Sequence, residues 1–192
     1  MTTLLITHPK QYLGYALDAK PADAPVGSTF DELDTGVHYT WDGALWLADA
    51  TPTLFKATKT LTFDGNADTG AVGEVPLFVT TGQIEVVRLV PFVTLGLDDI
   101  APNGATLSLG VDGLLTSFIV ATDIDDLAAP DEYWFSIAGG TIGGPIPVAL
   151  KNIAITTDIR GAVAVADIDT GEIRFDVFYR PISAGATLVA TP

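Results

Sequence analysis

Cysteine is absent from the 192 residues, and histidine occurs only twice. Without thiols there is no disulfide framework and no thiolate metal site, so packing alone must hold the fold, whatever the redox state around it. A Cys nucleophile is excluded, and His8 and His38 are the whole supply of imidazole. Basic residues are scarce. Nine Lys plus Arg stand against 24 Asp plus Glu, a formal net charge of −15 at pH 7. Between Arg88 and Lys151 there are eight acids and no base. Such a chain repels phosphate at long range and lacks the basic stripe along which a nucleic-acid backbone lies. Nucleic acid is therefore not an expected partner. The charge fits a water-facing exterior, or a particle surface that must not stick to DNA or to its neighbours. Long apolar runs are missing too. The longest within residues 1–20 is Leu4-Leu5-Ile6, with no basic segment before it, so neither a signal peptide nor a membrane helix is expected. No internal repeat is visible, which argues against a long fibre.

What the chain does have is turn and strand chemistry. Its mean hydropathy is +0.39, yet the apolar residues are scattered among Thr, Gly and Asp, as dense short strands require. A chain of this length buries about 70% of its extended surface, enough for a core without staples. Three regions separate. Residues 1–25 carry Pro9, Pro21 and Pro25 without an apolar period and read as an extended arm, with a helical turn or two over Lys10–Asp18 as the weaker alternative. Residues 26–50 read as an aromatic β-meander. Residues 54–192 read as a succession of strands.

The meander runs from Gly27 to Trp46. Two short runs are split by Asp34-Thr35-Gly36, and Asp42-Gly43 turns the chain into a third run ending at Trp46. Asp-Gly suits such turns because Gly has no Cβ to clash at positive φ. Strand alternation puts Tyr39 and Trp41 on one side and His38 and Thr40 on the other. About twenty residues of meander are too few to stand alone, so the module is expected to pack on something else.

Gly27, Phe30, Glu32, Asp34-Thr35-Gly36, Tyr39-Thr40-Trp41-Asp42-Gly43 and Trp46 together resemble a small hairpin module of tailed-bacteriophage virion proteins, found in fibres, spikes and head-associated proteins. Leu61–Gly73, Pro76-Leu77-Phe78, Gln83–Leu89, Ala121–Asp125 and Phe178-Tyr179-Arg180-Pro181 are similar to an all-β domain of phage structural proteins, so the resemblance spans roughly residues 26–190. It implies a virion location on the capsid exterior, a capsid decoration (cement) or head-fibre role, and a homotrimer. The implied partners are other copies of the chain and the major capsid protein or another virion protein.

The strands after Leu54 carry their own signals. Thr58–Asp64 alternates Leu61 and Phe63 against Thr60 and Thr62. Val75–Thr81 has Pro76 near its start and suits an edge or a strand entry. Gln83–Leu95 is apolar on both faces, Ile84, Val86, Val90 and Phe92 against Val87, Leu89 and Val93, and is expected to be central, with a bulge or break at Pro91. Ala105–Val111 turns at Asp112-Gly113 into Leu114–Ala121. Tyr133–Ile137, Pro147–Thr157, Ala162–Ile168, Glu172–Tyr179 and Ala186–Ala190 follow. The fold class is all-β: a small N-terminal meander followed by a jelly-roll-like antiparallel β-sandwich.

Candidate chemistry is sparse. The five Ser residues lack a Gly-x-Ser-x-Gly setting, and His38 reads as a half-exposed strand residue. Gly139-Gly140-Thr141-Ile142-Gly143-Gly144-Pro145 lacks the Lys-Ser/Thr of a phosphate loop and reads as a surface loop. Asp123-Ile124-Asp125-Asp126 and Asp167-Ile168-Asp169-Thr170-Gly171-Glu172 could offer Asp123, Asp125, Asp167 and Asp169 to calcium, but later ligand positions are missing, and turn formation is the plainer reading. No cofactor is expected and the chain reads as non-enzymatic. Its expected anchors are Tyr12, Tyr39, Trp41 and Trp46, because large aromatics dominate interface energetics. The alternatives are a tail spike or fibre protein, or an adhesion module using the same aromatics on a host-surface glycan. A glycan depolymerase using Asp125 or Asp169 ranks below both.

Overall fold

Period-two alternation becomes strand along most of the chain. A computed structural model describes residues 8–33, 37–48, 54–99 and 104–192. It divides into two units, Met1–Thr53 and Leu54–Pro192.

In the first unit, β1 (Gln11–Gly14), β2 (Thr29–Glu32), β3 (His38–Trp41) and β4 (Trp46–Ala48) form a four-stranded sheet in chain order. β2, β3 and β4 are antiparallel neighbours, the meander read from the sequence. Asp42 closes its second turn: the carboxylate accepts the N–H groups of Ala44 and Leu45 at 2.8 Å each, while Gly43 takes φ +106°. The segment read as an arm does more than extend. Gln11–Gly14 pairs parallel to β2, so the helical alternative over Lys10–Asp18 does not form. The Lys10 carbonyl instead accepts from Thr29 N–H at 2.9 Å, and the Gly14 carbonyl from Leu33 N–H at 2.8 Å. Residues 1–7 and the Asp34-Thr35-Gly36 turn lie outside the described residues.

The second unit contains β5 (Phe55–Thr62), β6 (Gly73–Thr81), β7 (Ile84–Asp98), β8 (Thr106–Val111), β9 (Leu114–Asp123), β10 (Glu132–Ser136), β11 (Gly139–Thr141), β12 (Ile153–Ile155), β13 (Ile159–Ala164), β14 (Thr170–Pro181) and β15 (Thr187–Ala190). Its pairings are nested: β5 with β14, β6 with β13, β7 with β10, β8 with β9. That is one long antiparallel ribbon. It is rolled so that β14 also lies beside β7 and β13 beside β8. The result is a jelly roll of two sheets, β11-β10-β7-β14-β5 and β15-β6-β13-β8-β9. Leu61, Val86, Leu89, Val93, Ile173, Phe175 and Val177 of one sheet meet Val75, Leu77, Leu107, Leu109, Ile159 and Val163 of the other in a single buried cluster. At about 1.5–3 kcal/mol for each large apolar side chain buried, this cluster is the main stabilising term.

Several local expectations change. Of the two readings of Pro76, β6 is not an edge strand, because β15 pairs with Phe78–Thr81; Pro76 lies in the first half of the strand, beyond that pairing, beside β13 and under the Thr191 hydroxyl. Pro91 does not break β7. β12 pairs with Ile84–Val86 and β10 with Phe92 and Val93, so Pro91 falls between two short neighbours on that flank. Three irregularities interrupt the pairing of β7 with β14, at Val87, at Thr94 and around Gly171; at the first, Phe178 pairs with Arg88 but Tyr179 with Val86, leaving Val87 as the extra residue. This bulge swaps faces, so Ile84 and Val86 point inward whereas Val90 and Phe92 point outward. The Pro147–Thr157 run is a 3-10 turn, Val148–Leu150, followed by the three-residue β12. In the glycine-rich run, Gly139–Thr141 forms β11 rather than loop. Gly171 sits at a register shift with φ +119°, where an added Cβ would lie 2.8 Å from the Gly96 carbonyl oxygen. Only glycine fits there.

Trp134 is fully buried, and its indole N–H donates to the Thr122 hydroxyl at 3.0 Å. Trp134→Ala is expected to cost about 3–5 kcal/mol in chemical denaturation, and Trp134→Phe less. Because the buried cluster is built entirely from residues after Thr53, a fragment of residues 54–192 is expected to unfold cooperatively by itself. Calorimetry of that fragment checks this.

Candidate functional site

The four aromatics singled out in the sequence come together in the first unit. Tyr12 pairs with Phe30, Phe30 with Tyr39, and Trp41 with Trp46 across neighbouring strands, so all share one sheet face. The Trp46 ring lies 6.0 Å from Tyr12, 6.0 Å from Phe30 and 5.4 Å from Trp41, centroid to centroid. Its indole N–H donates to the Pro21 carbonyl at 2.9 Å. The Lys20 ammonium sits 4.2 Å from the Tyr39 centroid and 2.7 Å from the Glu32 carboxylate. Burial, then the neighbouring Glu32, raises the Tyr39 phenol above its ordinary value. The meander therefore packs against its own segment leading from β1 to β2. Trp41, 7% exposed, belongs to that small core and not to the free surface. Tyr12, Tyr39 and Trp46 are half-buried. The unit's exposed apolar residues are instead Leu13, Tyr15, Leu17, Val26, Leu33, Leu45 and Leu47. On the opposite sheet face, Asp31 bonds to His38 and to the Gln11 amide, and the His38 bond holds its carboxyl below the ordinary range.

The acidic clusters act as caps and ties. Asp123 accepts the Asp125 N–H at 3.1 Å and caps the short helix Ile124–Leu127. Asp125 is exposed. Asp167 accepts the Val72 N–H at 2.7 Å, and Asp169 N–H donates to the Asp98 carbonyl at 3.0 Å. Among the described residues, no group of three or more His, Asp or Glu side chains is placed to hold a metal.

A second constellation was not singled out in the sequence. Alternation along β7 and β14 sends Arg88, Val90 and Phe92, and Arg174, Asp176 and Phe178, to the outward face of their sheet. Tyr133 and Phe135 flank the buried Trp134 and so emerge on that same face. Their rings stack 5.2 Å apart at 13°, and Tyr133 meets Phe92 at 5.0 Å. The Arg88 guanidinium lies 3.9 Å from the Phe178 centroid, and that of Arg174 lies 5.3 Å from Phe92. Asp176 sits in the middle, bound by Lys56 at 2.9 Å, the Thr58 hydroxyl at 2.8 Å and Arg174 at 3.4 Å. A shallow depression of about 360 Å³ is lined by Arg88, Val90, Tyr133, Phe135, Gly144, Ile146, Asp176 and Phe178.

This face has a consistent chemistry. Aromatic rings and guanidinium groups are the residue types enriched in protein interfaces, and here they cluster within an otherwise acidic chain. The signal was present in the sequence as the two-sided apolar character of Gln83–Leu95, which reads equally well as a strand buried on both faces. Protein-family models return no match to the chain, and neither do the curated proteins.

Burial alone would raise the Asp176 carboxyl, but its bonds to Lys56 and Thr58, with the Lys56 and Arg174 charges, outweigh burial and hold it below its ordinary value of 3.8. A folded-state value below the unfolded one means stability that is present above the ordinary range and lost as pH falls through the depressed value. Asp176→Asn should therefore lower stability by about 1–3 kcal/mol at pH 7. Denaturant titrations at pH 7 and near pH 3 should show the difference shrinking on the acid side.

Proposed function

We propose that this chain is a non-enzymatic structural protein of a tailed-bacteriophage particle, of the capsid decoration (cement) or head-fibre type, acting by association. Copies of the chain oligomerise, with a trimer as the implied assembly, and dock on the major capsid protein or another virion protein at the capsid exterior. The observation that carries this reading is the outward aromatic and guanidinium face of the β10-β7-β14-β5 sheet. Phe92, Tyr133, Phe135 and Phe178 form a half-buried outward array, and the area they leave uncovered is an asset for a domain that assembles. The exposed leucines of the first unit supply a second apolar surface, suited to a partner on the particle. The acidic remainder keeps finished particles apart and off DNA.

A host-glycan adhesion role, on a tail spike or fibre, is the second reading. The near-parallel Tyr133 and Phe135 rings favour it, because flat aromatic pairs form sugar platforms.

Light scattering on the full chain should give a mass near three times 20.1 kDa, unchanged by EDTA. Loss of the assembly in EDTA would bring calcium and the Asp clusters back into the account, and a monomer at every concentration would remove self-association from it. Antibody against the chain should decorate the heads of particles of the encoding phage in electron micrographs. Label confined to tails would move the assignment to a spike or fibre, and no label would remove the virion role.

A further inference from the structure

We infer that the outward face of the β10-β7-β14-β5 sheet is the surface through which one copy of this chain grips an acidic flank of a second copy. The inference rests on the self-association proposed above and names where it happens.

The argument begins with what the ring faces do. An antiparallel sheet with one face on the core normally turns polar side chains outward. Here the rings of Phe178 and Phe92 are outward, but cations lie over both: Arg88 at 3.9 Å and Lys56 at 5.5 Å from Phe178, Arg174 at 5.3 Å from Phe92. A sugar stacks on a bare ring face, and these two are not bare. What such a surface offers is the N–H edge of a guanidinium already oriented by its ring. A guanidinium donates and never accepts, and its fork fits a carboxylate.

The supply of charge inside the face is unequal. Arg174 and Lys56 share Asp176. Arg88 is exposed and makes no ion pair among the described residues. It is a cation in search of a carboxylate, within a chain of net charge −15. The chain itself carries the complement. Asp64, Asp68 and Asp167 near the start of β6, and Asp123, Asp125 and Asp126 after β9, are exposed carboxylates that are not among the outward side chains of β5, β7, β10 and β14. Ile142, at 85% exposure, follows β11 at the edge of the same sheet and supplies apolar area that a protein partner would cover. Because the cationic face and the acidic flanks are different surfaces, contact between copies is head-to-tail. Such a contact closes into a ring or runs on into a filament.

The test uses the full chain. Arg88→Glu with Arg174→Glu reverses the face, and both residues are solvent-exposed, so the fold should survive; a far-UV circular dichroism spectrum matching that of wild type at low temperature checks this. The expected result is that wild type scatters as a multiple of 20.1 kDa and the double variant as a single chain. Since the chain has no cysteine, Thr60→Cys, on the outward side of β5 opposite Arg174, gives a second readout. Its reaction with a maleimide dye should be at least about tenfold slower in the wild-type background than in the reversed-charge background. A double variant with the wild-type mass, or a Thr60→Cys thiol equally reactive in both backgrounds, overturns this surface and leaves oligomerisation standing. A wild-type chain that is monomeric throughout overturns self-association and this surface with it. Binding of polygalacturonate by wild type but not by the double variant, with no change in mass, would assign the face to acidic glycans instead.

Discussion

The pairing of β7 with β14 is the constraint on which the second unit depends. These are its two longest strands, Ile84–Asp98 and Thr170–Pro181, and each has apolar or aromatic residues at both parities. Once they pair, Leu89, Val93, Ile173, Phe175 and Val177 must enter the sandwich, and Val90, Phe92 and Phe178 must leave it. A period of two allows no compromise. The bulge at Val87 is what lets both ends of β7 keep an apolar inward set, since without it the Ile84–Val86 end would present its other face to the core.

The two units handle aromatic residues in opposite ways. In the first, Tyr12, Phe30, Tyr39, Trp41 and Trp46 converge on one face, and Lys20 bridges Glu32 and two rings beside them. Such a module holds itself together through ring–ring contacts worth about 0.5–1.5 kcal/mol each beyond area burial. In the second, only Trp134 of the Tyr133-Trp134-Phe135 run is taken inside, where the Thr122 hydroxyl satisfies its N–H. The flanking rings are half-buried on the outward side, Phe135 against the edge of the core, and they stack on one another, with Arg88 and Arg174 over the neighbouring rings of Phe178 and Phe92. Cation–ring contacts at exposed sites contribute about 0.5–1 kcal/mol.

Much of the architecture was legible before the structure. The all-β class, the meander, the hairpin at Asp112-Gly113 and the positions of most strands follow from alternation and turn residues, because both are local in the chain. The errors were equally physical. Lys10–Asp18 has no strong period, and the strand conformation of Gln11–Gly14 within it is imposed by pairing with β2 some eighteen residues later. Pro76 signals an edge or a strand entry and Pro91 a bulge or a break, yet each sits where one neighbouring strand has ended or not begun, which no local pattern reveals. The aromatic anchors were identified as a set, and they do cluster; their burial depended on the segment around Lys20 and Pro21 folding over them.

What the sequence determined by itself is the kind of object: a cysteine-free, acidic, strand-and-turn chain with a small aromatic module ahead of a larger sandwich. Composition and period are properties of neighbouring residues, so they survive without any knowledge of the fold. What only the tertiary structure decided is which apolar face of each strand becomes core and which becomes surface. That choice depends on the nested pairing of strands more than a hundred residues apart, as Phe55 with Tyr179, and on a single-residue bulge at Val87, where Arg88 moves to the outside and finds Phe178.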